Sequence, residues 1–172
     1  MASARAGYIV ALPNVPHPSE LVVRTRRRFS SAPGRVWPLL CNSQMAGATS
    51  PLFRLGVPQP IECRLPRGPG GVGAERECVS DQGVVHQRIL EWSPESHLSF
   101  RMEETSLPFR SHIHEMVDTI DLIPTQAGVE VTRTTAIRVK GRFQLFRKVM
   151  LFLGVKQVHR FVFQNWLQLA AS

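Results

Sequence analysis

The sequence predicts an α+β fold, a curved antiparallel sheet wrapped around one long C-terminal helix. Three observations carry this. Strand-like runs follow one another closely at Pro60–Pro66, Val72–Asp81, Val84–Trp92, His97–Glu104, His112–Ile123 and Val129–Lys140. One strand and a short helix open the chain between Glu20 and Cys41, and a helical pattern returns only after Gly141. Strands joined by short turns, with the helices set apart from them, specify an antiparallel sheet. A sheet curled around a helix leaves an apolar hollow, so a small-molecule cavity is the first functional expectation.

In the opening strand Leu21, Val23, Thr25 and Phe29 alternate with Arg24, Arg26 and Arg28. That is the period of a half-buried strand with a cationic outer face, broken only by Arg27 on the inward side. Ser30-Ser31-Ala32-Pro33 then offers a hydroxyl cap and a first-turn proline for a helix. Val36, Trp37, Leu39 and Leu40 supply its apolar face, and Pro38 keeps it short. Gln44 to Gln59 reads as a second short helix or an ordered loop, closed by Gly56, Pro58 and Pro60.

Alternation marks the later strands too. Val84, His86, Arg88, Leu90 and Trp92 share one side, and Val85, Gln87, Ile89 and Glu91 the other. Leu98, Phe100 and Met102 share a face, as do Val131, Arg133, Thr135 and Ile137. Ser93-Pro94-Glu95 and Pro124 to Gly128 are turn chemistry. In the last segment Leu151, Val155, Val158, Val162, Trp166 and Leu169 recur at three- and four-residue spacing, one helix face. About 29 residues of unbroken helix would span roughly 40 Å, with Gly154 as the place for a kink. The first half of that helix, from Phe143 to Leu153, is apolar almost all round, more than one sheet face can cover.

The chain has 172 residues, 43% hydrophobic and 20% charged, which suits one domain over residues 20–171 behind an extended, proline-bearing arm over 1–19. A net charge of +8 favours anionic partners, and weak association with an anionic membrane surface follows from it. Nucleic acid is not expected as a partner, because no nucleic-acid motif is present. Cys41, Cys63 and Cys78 show no ligand spacing, and an odd number of scattered cysteines suits reduced thiols in a cytoplasm. No run reaches the ~20 apolar residues of a membrane span, and Tyr8–Leu12 is too short for a secretory signal core.

Several landmarks together resemble a known family. They are the opening strand into "Ala32-Pro33…Val36-Trp37", "Gly73…Arg76", "Ile89-Leu90-Glu91-Trp92-Ser93-Pro94…Leu98-Ser99-Phe100" and "Ile120-Asp121-Leu122-Ile123-Pro124…Gly128-Val129-Glu130-Val131", followed by the long helix. In this order they resemble the START-like, helix-grip superfamily, and within it the bacterial polyketide cyclase/dehydrase and lipid-transport branch. The resemblance covers about Glu20 to Ala171. It implies a sheet gripping the last helix around a hydrophobic ligand cavity. It implies no single chemistry, since one fold hosts carriers, receptors and cyclases.

Gly68-Pro69-Gly70-Gly71-Val72-Gly73 leads into a strand rather than a helix, so it is a flexible hairpin loop and not a phosphate cradle. His112 and His114 stand about 7 Å apart on one strand side, but lack a clear third ligand, so no metal is expected, and no cofactor either. Polar residues on apolar strand faces are the better clue. His86 and Asp118 are the candidate acid-base pair of a cyclase/aromatase-type enzyme. Arg88, His112, His114 and Arg133 are candidate polar contacts for a ligand; Phe100, Met102, Met116, Phe143, Phe146, Met150 and Trp166 are its candidate apolar wall. An internal ion pair, Arg88–Asp118 or Arg133–Asp118, is the competing reading. Binding of a lipid- or polyketide-like molecule is the favoured function, catalysis the alternative, and a basic peripheral-membrane partner a weaker third.

Overall fold

A computed structural model describes residues 20–46, 50–141 and 143–171; the arm expected over residues 1–19 lies outside them. The elements run β1 (Glu20–Phe29), α1 (Pro33–Cys41), β2 (Ser43–Gln44), α2 (Pro51–Arg54), β3 (Pro60–Arg64), β4 (Glu75–Ser80) and β5 (Gly83–Ser93). After them come β6 (His97–Thr105), a 3-10 turn (Pro108–His112), β7 (Ile113–Thr125), β8 (Gly128–Val139) and α3 (Gln144–Ala171). All eight strands form one antiparallel sheet in the order β1-β8-β7-β6-β5-β4-β3-β2. The sheet is thus a meander from β2 to β8, and β1 adds to its far edge, from Glu20 opposite Arg138 to Phe29 opposite Val129. This is the α+β architecture the sequence predicts.

β1 buries Val23, Thr25 and Phe29 and turns its arginines to solvent. Arg27 joins them despite its inward parity; on an edge strand a long side chain can reach water, and its Nη1 donates to the Arg26 carbonyl at 2.9 Å. The turn into β8 needs glycine at 128. Its φ is +137°, and a Cβ there would run into the Phe29 carbonyl oxygen. α1 is capped by Ala32 with no side-chain bond, so the expected hydroxyl cap does not form. Ser31 Oγ instead donates to the Ala170 carbonyl at 2.7 Å, tying down the last turn of α3.

The second half of α3 carries the core. Phe161, Val162, Phe163 and Trp166 are buried, with Phe161 edge-on to Phe53 and Phe163 tilted against Phe29. Each such side chain contributes about 1.5–3 kcal/mol on burial, so this half is pinned. Gly154 does not break the helix, and a Cβ there would meet Val57 only at ordinary contact distance. A helical glycine costs only about 1 kcal/mol relative to alanine, too little to force a kink.

Bulges decide which residues face inward. Leu90 is an extra residue in β5 between the Ile89–Phe100 and Glu91–Ser99 pairs. Gln87 and Ile89 are therefore inside, and beyond the bulge Trp92 comes in to meet Trp37 edge-on at 5.0 Å. A second bulge at His114 separates the Ile113–Val139 and Glu115–Arg138 pairs of β7 and β8. Cys63 and Cys78 lie opposite each other on β3 and β4 and form a disulfide, their Cα atoms 4.2 Å apart. That corrects the expectation of three reduced thiols, since cross-strand pairing aligns two cysteines fifteen residues apart. Cys41 remains a buried thiol, its pKa pushed up to about 11 by burial.

Candidate functional site

Between the concave sheet face and α3 lies a cavity of about 800 Å³, within the range of small-molecule pockets. Ile113, Met116, Ile137, Leu151, Val155 and Val158 form an apolar wall. At its outer end Leu55, Phe143, Phe146 and Met150 line the cavity while remaining exposed to solvent, so they form its mouth. At its inner end stand Asp118, Arg133 and His159.

That inner end is a connected polar array. Arg133 Nε donates to Asp118 Oδ1 at 2.8 Å, a salt bridge with the carboxylate almost fully buried. Thr135 Oγ1 donates to the same Asp118 oxygen, and lies 2.8 Å from His159 Nε2. His159 Nδ1 lies 3.0 Å from Thr25 Oγ1, to which Lys156 Nζ donates at 3.1 Å. The donors can be ordered from the two ends. The Thr135 proton is used on Asp118, so Thr135 accepts from His159 Nε2–H; Nδ1 then accepts from Thr25. Every member of the chain from Lys156 to Asp118 donates once into the next.

The electrostatics follow from this packing. Burial opposes ionisation of Asp118, but the Arg133 guanidinium and the Thr135 hydroxyl outweigh it and hold the carboxyl below its ordinary range. Burial, reinforced by the Arg133 charge, pushes His159 down to about 3, so its imidazole is neutral at neutral pH. Behind the wall, buried Arg76 packs over the Phe100 ring at 4.5 Å and donates to Gln87 Oε1 and the Leu40 carbonyl. Burial lowers its pKa to about 10, and it stays cationic.

Of the residues singled out from sequence, Asp118, Arg133, Met116, His112, Phe143, Phe146 and Met150 line this cavity. His86 does not. Its side chain is 51% exposed on the convex face, 3.5 Å from Glu77. Arg88 lies on that face too, bonded to Glu103 at 2.9 Å, because the parity of β5 places Gln87 and Ile89 inside instead. The His114 bulge turns that imidazole outward, into a surface depression with Arg101, Glu115 and Arg138. Phe100, Met102 and Trp166 are core residues that do not line the cavity. Among the described residues no three His, Cys, Asp or Glu side chains gather at metal-binding distance.

No sequence model of a known protein family matches the chain, and no curated protein matches it. Its likeness to solved structures is clear. Ara h 8.0201 superposes with a TM-score of 0.62 at 12% identity, over 88% of this chain and 98% of that one. TTHA0849 from Thermus thermophilus gives 0.61 at 14% identity, over 87% and 97%. MLL2253 from Mesorhizobium loti gives 0.59 at 19% identity, over 86% and 95%. The chain has the START-like helix-grip fold.

In this helix-grip domain the residues that sequence reasoning missed are His159, Thr25, Thr135, Gln87 and Arg76. A signal for His159 existed. It stands four residues after Val155, three before Val162 and seven before Trp166, on the apolar face of the grip helix. Gln87 stands on the strand side opposite His86 and Arg88, a side the sequence reading takes as outward, and that reading gives it no role. Arg76 had no local pattern to mark it, because its partners, the Leu40 carbonyl and Phe100, come from distant elements.

Proposed function

We propose that this protein binds a hydrophobic or amphipathic small molecule in the helix-grip cavity, as a carrier or sensor. The observation that carries the reading is a cavity with apolar walls and an open mouth, whose buried acid and imidazole, Asp118 and His159, are already hydrogen-bonded within the protein. Catalysis has less support. His159 is neutral and hydrogen-bonded through both nitrogens, and Asp118 is held as an ion pair, so neither is a free acid or base. The cytoplasmic placement loses the support it drew from reduced thiols, since the Cys63–Cys78 disulfide favours an oxidising compartment.

An apolar fluorescent probe is expected to bind the native protein in the micromolar range, on the order of −8 kcal/mol. Met116→Trp fills the cavity and should weaken binding while leaving the thermal midpoint nearly unchanged. Probe binding indifferent to that filling would overturn the reading.

A second reading, delivery at a membrane surface, draws on one specific observation. Phe143 is 82% and Phe146 69% exposed at the cavity mouth, with Leu145 also exposed and basic Arg147 and Lys148 beside them. Apolar side chains amid positive charge suit an anionic bilayer. The protein should sediment with vesicles containing phosphatidylserine and much less with phosphatidylcholine alone. The pair Phe143→Asp and Phe146→Asp should abolish the difference; retention in both vesicle types would count against it. No helix among the described residues is long and apolar enough to cross the membrane.

A further inference from the structure

The inner end of the cavity carries an unbalanced charge. Two arginines lie there or just behind it, Arg76 and Arg133, against one buried carboxylate, Asp118. His159 adds none while neutral, and among the described residues Asp118 is the only buried acid. Buried charges are ordinarily paired, because a lone one is expensive to hold away from water. The disposition of donors sharpens the point. Arg133 meets Asp118 through Nε alone, and its two Nη groups make no hydrogen bond among the described residues. They are not sealed off either, since the one fully buried, unpartnered side-chain nitrogen among the described residues is Arg76 Nε. The Nη1–Nη2 edge of a guanidinium is a two-pronged donor matched to a carboxylate, and Arg133 is among the residues that line the cavity.

We propose that the ligand is an amphipathic carboxylic acid whose carboxylate seats on the free edge of Arg133, with its apolar body against Met116, Ile137, Leu151 and Val155. A single negative charge neutralises the excess; a doubly charged headgroup would over-compensate it. The open outer end then accommodates the apolar tail, and the headgroup goes in first. This rests on the cavity-binding function proposed above and specifies its ligand class.

The test compares cis-parinaric acid with its methyl ester, followed by polyene fluorescence at about pH 7.5, where a carboxylic acid is ionised. The acid is expected to bind the native protein at least tenfold more tightly than the ester. Equal affinities would overturn the headgroup assignment and leave cavity binding standing, whereas failure of both to bind would overturn cavity binding as well. Arg133→Met alone leaves Asp118 unpaired and can unfold the domain, so it is combined with Asp118→Asn. The double variant should bind acid and ester alike. A tenfold preference that survives in it would place the anion site elsewhere and refute the role of Arg133.

Discussion

Replacing Trp166 by alanine is expected to lower the unfolding free energy by about 3–5 kcal/mol. Trp166 is 1% exposed and packs edge-on to Phe163 at 5.6 Å between ring centroids. Its loss removes the largest side chain from the contact between α3 and the sheet and leaves a void that the pinned neighbours cannot close. It also removes the indole N–H that donates to Ser43 Oγ at 3.2 Å, leaving a buried hydroxyl short of a partner. Urea denaturation of the two proteins measures the difference. Leu145→Ala, on the exposed half of the same helix, is the control and should move stability by no more than about 0.5 kcal/mol. A loss below about 1 kcal/mol for Trp166→Ala would mean that the helix is not gripped there.

Acidification is expected to be as damaging. His159 has a folded-state pKa near 3 against an ordinary value of 6.5, so the unfolded chain takes up a proton that the folded one refuses. Its contribution is intact above pH 6.5 and is lost as pH falls from there towards 3. At about 1.36 kcal/mol per unit, lowering the pH from about 7 to about 4.5 costs about 2.5 kcal/mol from this one group. Asp118, whose pKa is depressed, adds a loss of the same sign once the pH drops through the carboxylate range. His97 works the other way. Burial disfavours its charge, but Asp121 at 2.7 Å and Glu91 at 2.6 Å outweigh that and raise its pKa, so its stabilisation is full below 6.5 and lost as pH rises through the folded value. The dominance of His159 is checked by His159→Gln, which should flatten the dependence between about pH 7 and about 4.5. An unchanged slope in that variant would show that the imidazole is not the group refusing the proton.

Much of the fold was legible because alternation and helical spacing are local. Val23, Thr25 and Phe29 lie inside β1, and Leu98, Phe100 and Met102 inside β6, as their period demands. Val155, Val158, Val162 and Trp166 likewise mark the sheet-facing stripe of α3. The site was harder to read, since its membership depends on parity, and parity is reset by a single inserted residue. Simple alternation puts His86 and Arg88 inside, on one face with Leu90 and Trp92; the bulge at Leu90 makes only Trp92 an inward residue. His114 is turned outward by the same cause. Asp118 and Arg133 keep their expected places because β7 and β8 run in unbroken register from Glu115 onward. The disulfide had no local signature, and the helical spacing that marks His159 does not name its partners Thr25 and Thr135, since each joins elements whose meeting is fixed only by the completed sheet.

The strand order has a consequence for how the chain is made. β1 emerges first, yet its only sheet neighbour is β8, so Phe29 waits for Val129, a hundred positions later. At ribosomal speeds of about 5–20 residues per second that delay is on the order of 5–20 s. Throughout it, Val23 and Phe29 have no native face to cover them. The arginines at 24, 26, 27 and 28 then have a second use, because a nascent edge strand studded with like charges repels another copy of itself. The cationic outer face of β1 thereby protects the newborn polypeptide during the interval when it is most prone to pair with the wrong partner.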